Sequence, residues 1–78
     1  MESSVRLEIN KLLEKQFPNC KIKVEGDNGH YGIDITGEIF SGLNSVKRQQ
    51  SVYQVINDYI KNGTIHAVII KACTPDEI

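Results

Sequence analysis

The chain has 78 residues, 40% of them hydrophobic, and 9 basic against 10 acidic side chains give it a formal net charge of −1. That is enough for one domain, a sheet backed by helices, but not for a large enclosed active site. The near-neutral charge argues against holding nucleic acid or membrane by bulk electrostatics.

No apolar run approaches the roughly 18 residues of a membrane span. Met1-Glu2-Ser3-Ser4 also lacks the basic-then-apolar character of a secretion signal. The expected compartment is therefore the cytoplasm. There Cys20 and Cys73, far apart and without a CxxC partner, are expected to be reduced.

Val5, Ile9, Leu12, Leu13 and Phe17 fall on one stripe at helical spacing, which predicts a helix over residues 4–17. Ser3 or Ser4 can cap its first amides, and Pro18-Asn19 stops it. Cys20, Ile22 and Val24 then alternate with Lys21, Lys23 and Glu25, the period of a half-exposed strand. Gly26-Asp27-Asn28-Gly29 turns the chain into a second strand, where Tyr31, Ile33 and Ile35 alternate with Gly32, Asp34 and Thr36. The two runs read as a β-hairpin. Residues 37–43 read as a loop holding Phe40 and Gly42.

The spacing predicts a second helix over residues 46–61. Val46, Val52, Tyr53, Val55, Ile56, Tyr59 and Ile60 occupy one half of its circumference, and only Arg48 and Gln49 intrude. Asn44 or Ser45 can cap it, and Asn62-Gly63 ends it. Residues 65–73 form a third strand, apolar enough to be largely buried. Lys71 shares a face with Ala67 and Ile69, so His66, Val68, Ile70 and Ala72 are expected under the helices. Thr74-Pro75-Asp76-Glu77 has the spacing of a capping box and begins a last helix, which Ile78 leaves short.

The order helix-strand-strand-helix-strand has one economical packing. The hairpin makes the first two strands antiparallel. A helix over residues 46–61 spans about 24 Å, enough to return the chain to the start of the second strand. The third strand then lies parallel to the second after a right-handed crossover. His30 and His66, the only two histidines, share one edge of the sheet, and Lys47 and Arg48 lie at the other.

Imidazole is a borderline ligand for iron, zinc or copper, and two at one edge can fill two positions on a metal. Asp27 is the nearest acidic candidate, so a site completed by a partner protein fits better than a self-contained one. The plain alternative makes His66 a hydrogen-bonded strand residue and His30 a solvated one. For the cysteines the plain reading is small buried hydrophobes, and zinc on both cysteines and both histidines matches no familiar spacing. No nucleophile–base pair, phosphate-cradling loop or HExxH motif is present, so catalysis is not expected. Gly26-Asp27-Asn28-Gly29 has the GxxG form that clamps nucleic acid in KH domains. Here, however, it lies between strands and holds Asp and Asn, which suits a hairpin turn.

Three blocks together resemble the BolA-like protein family. They are Val24-Glu25-Gly26-Asp27 with His30-Tyr31; Phe40-Ser41-Gly42-Leu43 with Val46-Lys47-Arg48-Gln49-Gln50 and Val52-Tyr53; and Ile65-His66-Ala67-Val68-Ile69-Ile70-Lys71 with Thr74-Pro75. The resemblance runs from the first helix to Glu77 as a single domain, residues 1–78. It is nearer to the small YrbA/IbaG-type members than to BolA itself.

It implies a type II KH-like α-β-β-α-β fold with a three-stranded mixed sheet. It also implies a non-enzymatic adaptor that is a monomer alone. That adaptor pairs with a monothiol CGFS glutaredoxin to hold a bridged 2Fe–2S cluster, with glutathione supplying a further thiolate. The family's C-terminal histidine ligand falls on His66 and its variable His/Cys ligand on His30. The implied partner surface takes in Gly26, Asp27, Gly29 and Lys71. The rival implication is a KH-like nucleic-acid-binding stress or transcriptional regulator, acting through Lys47 and Arg48. The chain departs from the family where Ile78 replaces the usual aromatic residue and the last helix is cut short.

Overall fold

The computed structural model describes residues 3–77. The chain runs α1 (Ser3–Gln16), β1 (Lys21–Asp27), β2 (His30–Thr36), a 3-10 turn (Glu38–Phe40), α2 (Ser45–Lys61), β3 (Ala67–Cys73) and a second 3-10 turn (Pro75–Glu77). The capping role expected of Ser3 or Ser4 concerns side chains outside the described residues, as does Ile78.

The strands form one mixed sheet in the order β1-β2-β3. β1 pairs antiparallel with β2, from Lys21 opposite Thr36 to Asp27 opposite His30. β2 pairs parallel with β3, from His30 opposite Ala67 to Thr36 opposite Cys73. The fold is α+β with the expected element order.

Alternation divides the sheet into two unlike faces. Ile22, Val24, Tyr31, Ile33, Ile35, Val68, Ile70 and Ala72 point to the side where Ile9 and Leu13 of α1 meet Val52 and Ile56 of α2. Ile9, Leu13, Ile33, Ile35, Val52 and Ile56 are essentially inaccessible. Full burial of such a side chain contributes about 1.5–3 kcal/mol. Phe40 joins this core from the first 3-10 turn, its ring tilted 39° and 5.9 Å from that of Phe17. No helix covers the opposite face, which carries Lys21, Lys23, Glu25, Asp27, His30, Gly32, Asp34, Thr36, Ala67, Ile69, Lys71 and Cys73.

This one-sided layering corrects the expectation that β3 is largely buried. β3 is an edge strand, and Ile69 on its uncovered face is 69% exposed. The hairpin turn is also shorter than expected. Gly26 and Asp27 stay in β1, paired with Tyr31 and His30, and only Asn28 (φ 52°) and Gly29 (φ 86°) turn. Two successive positive φ angles make a type I′ turn, for which Asn-Gly is the favoured dipeptide.

On α2, Asn44 is the cap, its Oδ1 accepting from Lys47 N–H at 2.9 Å. Val46, expected on the buried side, is 61% exposed at the first turn, and Tyr53 is exposed as well. Arg48 is the opposite case, with its side chain only 15% exposed. Its Nε donates to Leu43 O at 2.9 Å and its Nη1 to Ala72 O at 3.2 Å. Both terminal nitrogens reach the two carboxylate oxygens of Glu77, at 2.7 and 3.0 Å. The apparent intrusion on the apolar arc is thus a clamp on the segment after β3. Part of the expected capping box is formed there: Thr74 N–H donates to Glu77 Oε1 at 2.9 Å, while the Thr74 hydroxyl turns to Asp76.

The Arg48 guanidinium and the Thr74 N–H hold the Glu77 carboxyl down at about 2, against an ordinary value of 4.5. A depressed carboxyl contributes stability above its unfolded value and loses it as pH falls towards its folded value. Glu77→Gln should therefore lower the melting temperature at neutral pH. Its deficit against wild type should shrink between pH 4.5 and about 2, as a calorimetric pH series would show. In the core, Ile56→Ala should cost about 2–5 kcal/mol by urea denaturation.

Candidate metal centre

The histidine edge is built from the hairpin turn and the connection that returns the chain from α2. At the end of α2, Asn62 N–H bonds back to Asp58 O, and Gly63 takes φ +84°. The Asn62 side chain then accepts from Thr64 N–H at 2.9 Å. Buried Ile65 is tied to Tyr59 O at 3.0 Å. These contacts deliver His66 to the hairpin, where the N–H groups of His66 and Ala67 both donate to the Gly29 carbonyl, at 2.7 and 3.0 Å.

His66 therefore precedes β3 instead of opening it. It is exposed, not covered by the helices as alternation predicted. The shared acceptor breaks the period of two at this position, and the imidazole lies over Gly29. A Cβ on Gly29 would run into His66 Cδ2, so that glycine serves both the turn and the ring above it.

His30 and His66 meet as the topology requires. Their rings are nearly parallel, 9° apart in plane, with centroids 6.4 Å apart, and both residues are exposed. Two imidazoles carry nitrogen ligands suited to iron, zinc or copper. Among the described residues no cluster of three or more His, Cys, Asp or Glu side chains is arranged to hold a metal. Asp27, though opposite His30 in the ladder, does not complete a ligand set. An ion or cluster held here needs further ligands from beyond the described residues.

The other candidate residues are distributed along the sheet. Gly26 (φ +109°) lies in β1 beside the pair, where a Cβ would collide with the His30 carbonyl oxygen. Lys71 is not brought to the histidines; it stands opposite Asp34, four residues beyond Ala67 and about 13 Å along the strand. The cysteines are at the far end. Cys20 precedes β1 and Cys73 closes β3, both unbridged and half-buried. The length of β2 separates them from the histidines by about 20 Å, which rules out a common site. Burial pushes the Cys20 thiol up, keeping it protonated, and its sulfur fills the space beside Gly37. Of the basic pair, Lys47 is exposed, whereas the Arg48 guanidinium is already occupied by Glu77 and two carbonyls. What the pattern of residue types missed is the dependence of His66 on Gly29; the Asn-Gly dipeptide was its only sequence signal.

Gly29→Ala should cost about 1 kcal/mol or more from the positive φ alone. It should also displace the His66 ring, seen as a shift of the His66 imidazole signals by NMR that exceeds the shift at His30.

The model of the family described as BolA-like protein matches residues 5–77. The chain is 41% identical over 70 residues to the acid stress protein IbaG of Escherichia coli K12, covering 90% of this chain and 83% of that protein. Among solved structures, the BolA domain of SufE1 from Arabidopsis thaliana superimposes with a TM-score of 0.86 at 30% identity over 96% of both chains. BolA1 from the same plant gives 0.84 at 26% over 94% of both. With the family model spanning nearly the whole chain and the same fold in these relatives, the chain belongs to the BolA-like family.

Proposed function

We propose that this chain is a non-enzymatic adaptor in iron–sulfur cluster assembly and trafficking. It binds a monothiol CGFS glutaredoxin and shares with it a bridged 2Fe–2S cluster. His66 and His30 are the ligands on this side, and the glutaredoxin and a glutathione supply thiolates. The observation that carries this reading is the exposed, parallel histidine pair, which no third ligand among the described residues completes. Such a pair is half of a coordination shell, and its open side faces a partner.

Histidine ligation suits transfer or sensing. Imidazole in place of thiolate raises a cluster's potential, and imidazole must be neutral to bind metal. The name acid stress protein, carried by the Escherichia coli relative, accords with a site of that kind. No described helix is long and apolar enough to cross a membrane.

The test is to mix the chain with a CGFS glutaredoxin, glutathione and reconstituted cluster, and to follow visible absorbance and circular dichroism. His66→Ala should abolish the shared-cluster spectrum while the far-ultraviolet spectrum and melting temperature stay near wild type, because the side chain is exposed. His30→Ala should weaken the spectrum. Retention of a wild-type spectrum by His66→Ala would refute the ligand assignment.

A further inference from the structure

Gly32 has no internal reason to be glycine. It sits in the middle of the central strand, and its backbone is outside the left-handed region. A Cβ built on it meets nothing within 4 Å. Glycine in a strand interior weakens the strand, and it recurs where another backbone or a ligand must come close. The residue opposite Gly32 on β3 is Ile69, the 69% exposed apolar side chain of the uncovered face. A lone exposed isoleucine is ordinary. An isoleucine beside an otherwise unexplained hollow forms a knob with a flat approach next to it.

The surroundings specify what approaches. Across the sheet, Glu25, Gly32 and Ile69 form one row, and Asp27, His30 and Ala67 the row next to it. His30 and Gly32 share this face about 7 Å apart, so a group bound at His30 that extends along the sheet lies over Gly32 and Ala67. These two rows carry two carboxylates and no lysine or arginine. The next row is Lys23, Asp34 and Lys71, and Lys23 reaches back to Glu25 at 3.3 Å. A reactive thiolate is kept ionised by neighbouring basic groups. The surface around such a thiolate therefore carries the charge that Asp27 complements.

We infer that the bare sheet face centred on Gly32 and Ile69 is the docking surface for the thiolate-bearing partner. An apolar socket takes Ile69, backbone packs close over Gly32, and a lysine or arginine faces Asp27. This rests on the function proposed above and adds to it where the partner sits.

Calorimetric titration with an apo CGFS glutaredoxin tests it without the cluster. Ile69→Ala should raise Kd about tenfold or more, as for an anchor side chain in an interface. Gly32→Thr should do the same while leaving the isolated chain as stable as wild type or more so, since threonine favours a strand and has open space there. Stabilisation of the fold together with loss of binding is an outcome that damage to the core does not produce. Wild-type Kd in both variants overturns the docking face and leaves the cluster-sharing reading intact. A wild type that binds glutaredoxin yet shares no cluster overturns only that earlier reading, and the variants still decide the face. A wild type that binds no glutaredoxin, or that instead self-associates in sedimentation through Ile69, overturns the partner assigned here.

Discussion

One carbonyl oxygen fixes the geometry on which the rest depends. Gly29 O accepts from both His66 and Ala67, joining the tip of a local hairpin to the first residues of a strand that arrives only after a long helix. That junction sets the register of the parallel pair, and with it every assignment of side chains to the covered or the bare face. The same glycine provides the positive φ of the turn and the empty volume under the His66 ring. Backbone pairing and side-chain placement at this edge are therefore a single constraint.

The two ends of the sheet are finished in opposite ways. At the far end, Arg48 ties the start of α2, the last outward carbonyl of β3 and the segment after it into one knot, and Cys20 packs against Gly37. The histidine end keeps both imidazole-bearing residues exposed. A small domain with one apolar face has little stability to spare. Closing one end with an ion pair leaves the other free to carry exposed polar groups.

Much of this was legible in the residues. The hairpin, α2 and the Asn44 cap follow from short-range periodicity and capping chemistry. The meeting of His30 with His66 follows from element order and helix length. The errors share a cause: each depended on something beyond the local pattern. Gly26 looks like a turn residue but holds its place in the ladder, because close cross-strand backbone also demands a missing Cβ. The apolar run of β3 reads as largely buried, yet on this edge strand of a sheet covered on one side, only Ile70 is. Arg48 reads as an intruder until Glu77, remote in sequence, is seen beside it. The ring separation at the histidine pair lies below the resolution of any spacing argument.

The way the pair is assembled has a kinetic consequence. β1 and β2 are joined by a two-residue turn and can pair early, since closing so short a loop costs little entropy. His66 reaches Gly29 only when the whole crossover, including α2, is in place, and parallel pairing of this kind forms slowly. A newly made chain thus exposes His30 on a formed hairpin before it owns a pair. The pairing of the two imidazoles then appears together with the completed fold. Half-folded molecules present His30 alone, so the stacked pair belongs only to chains that have finished folding.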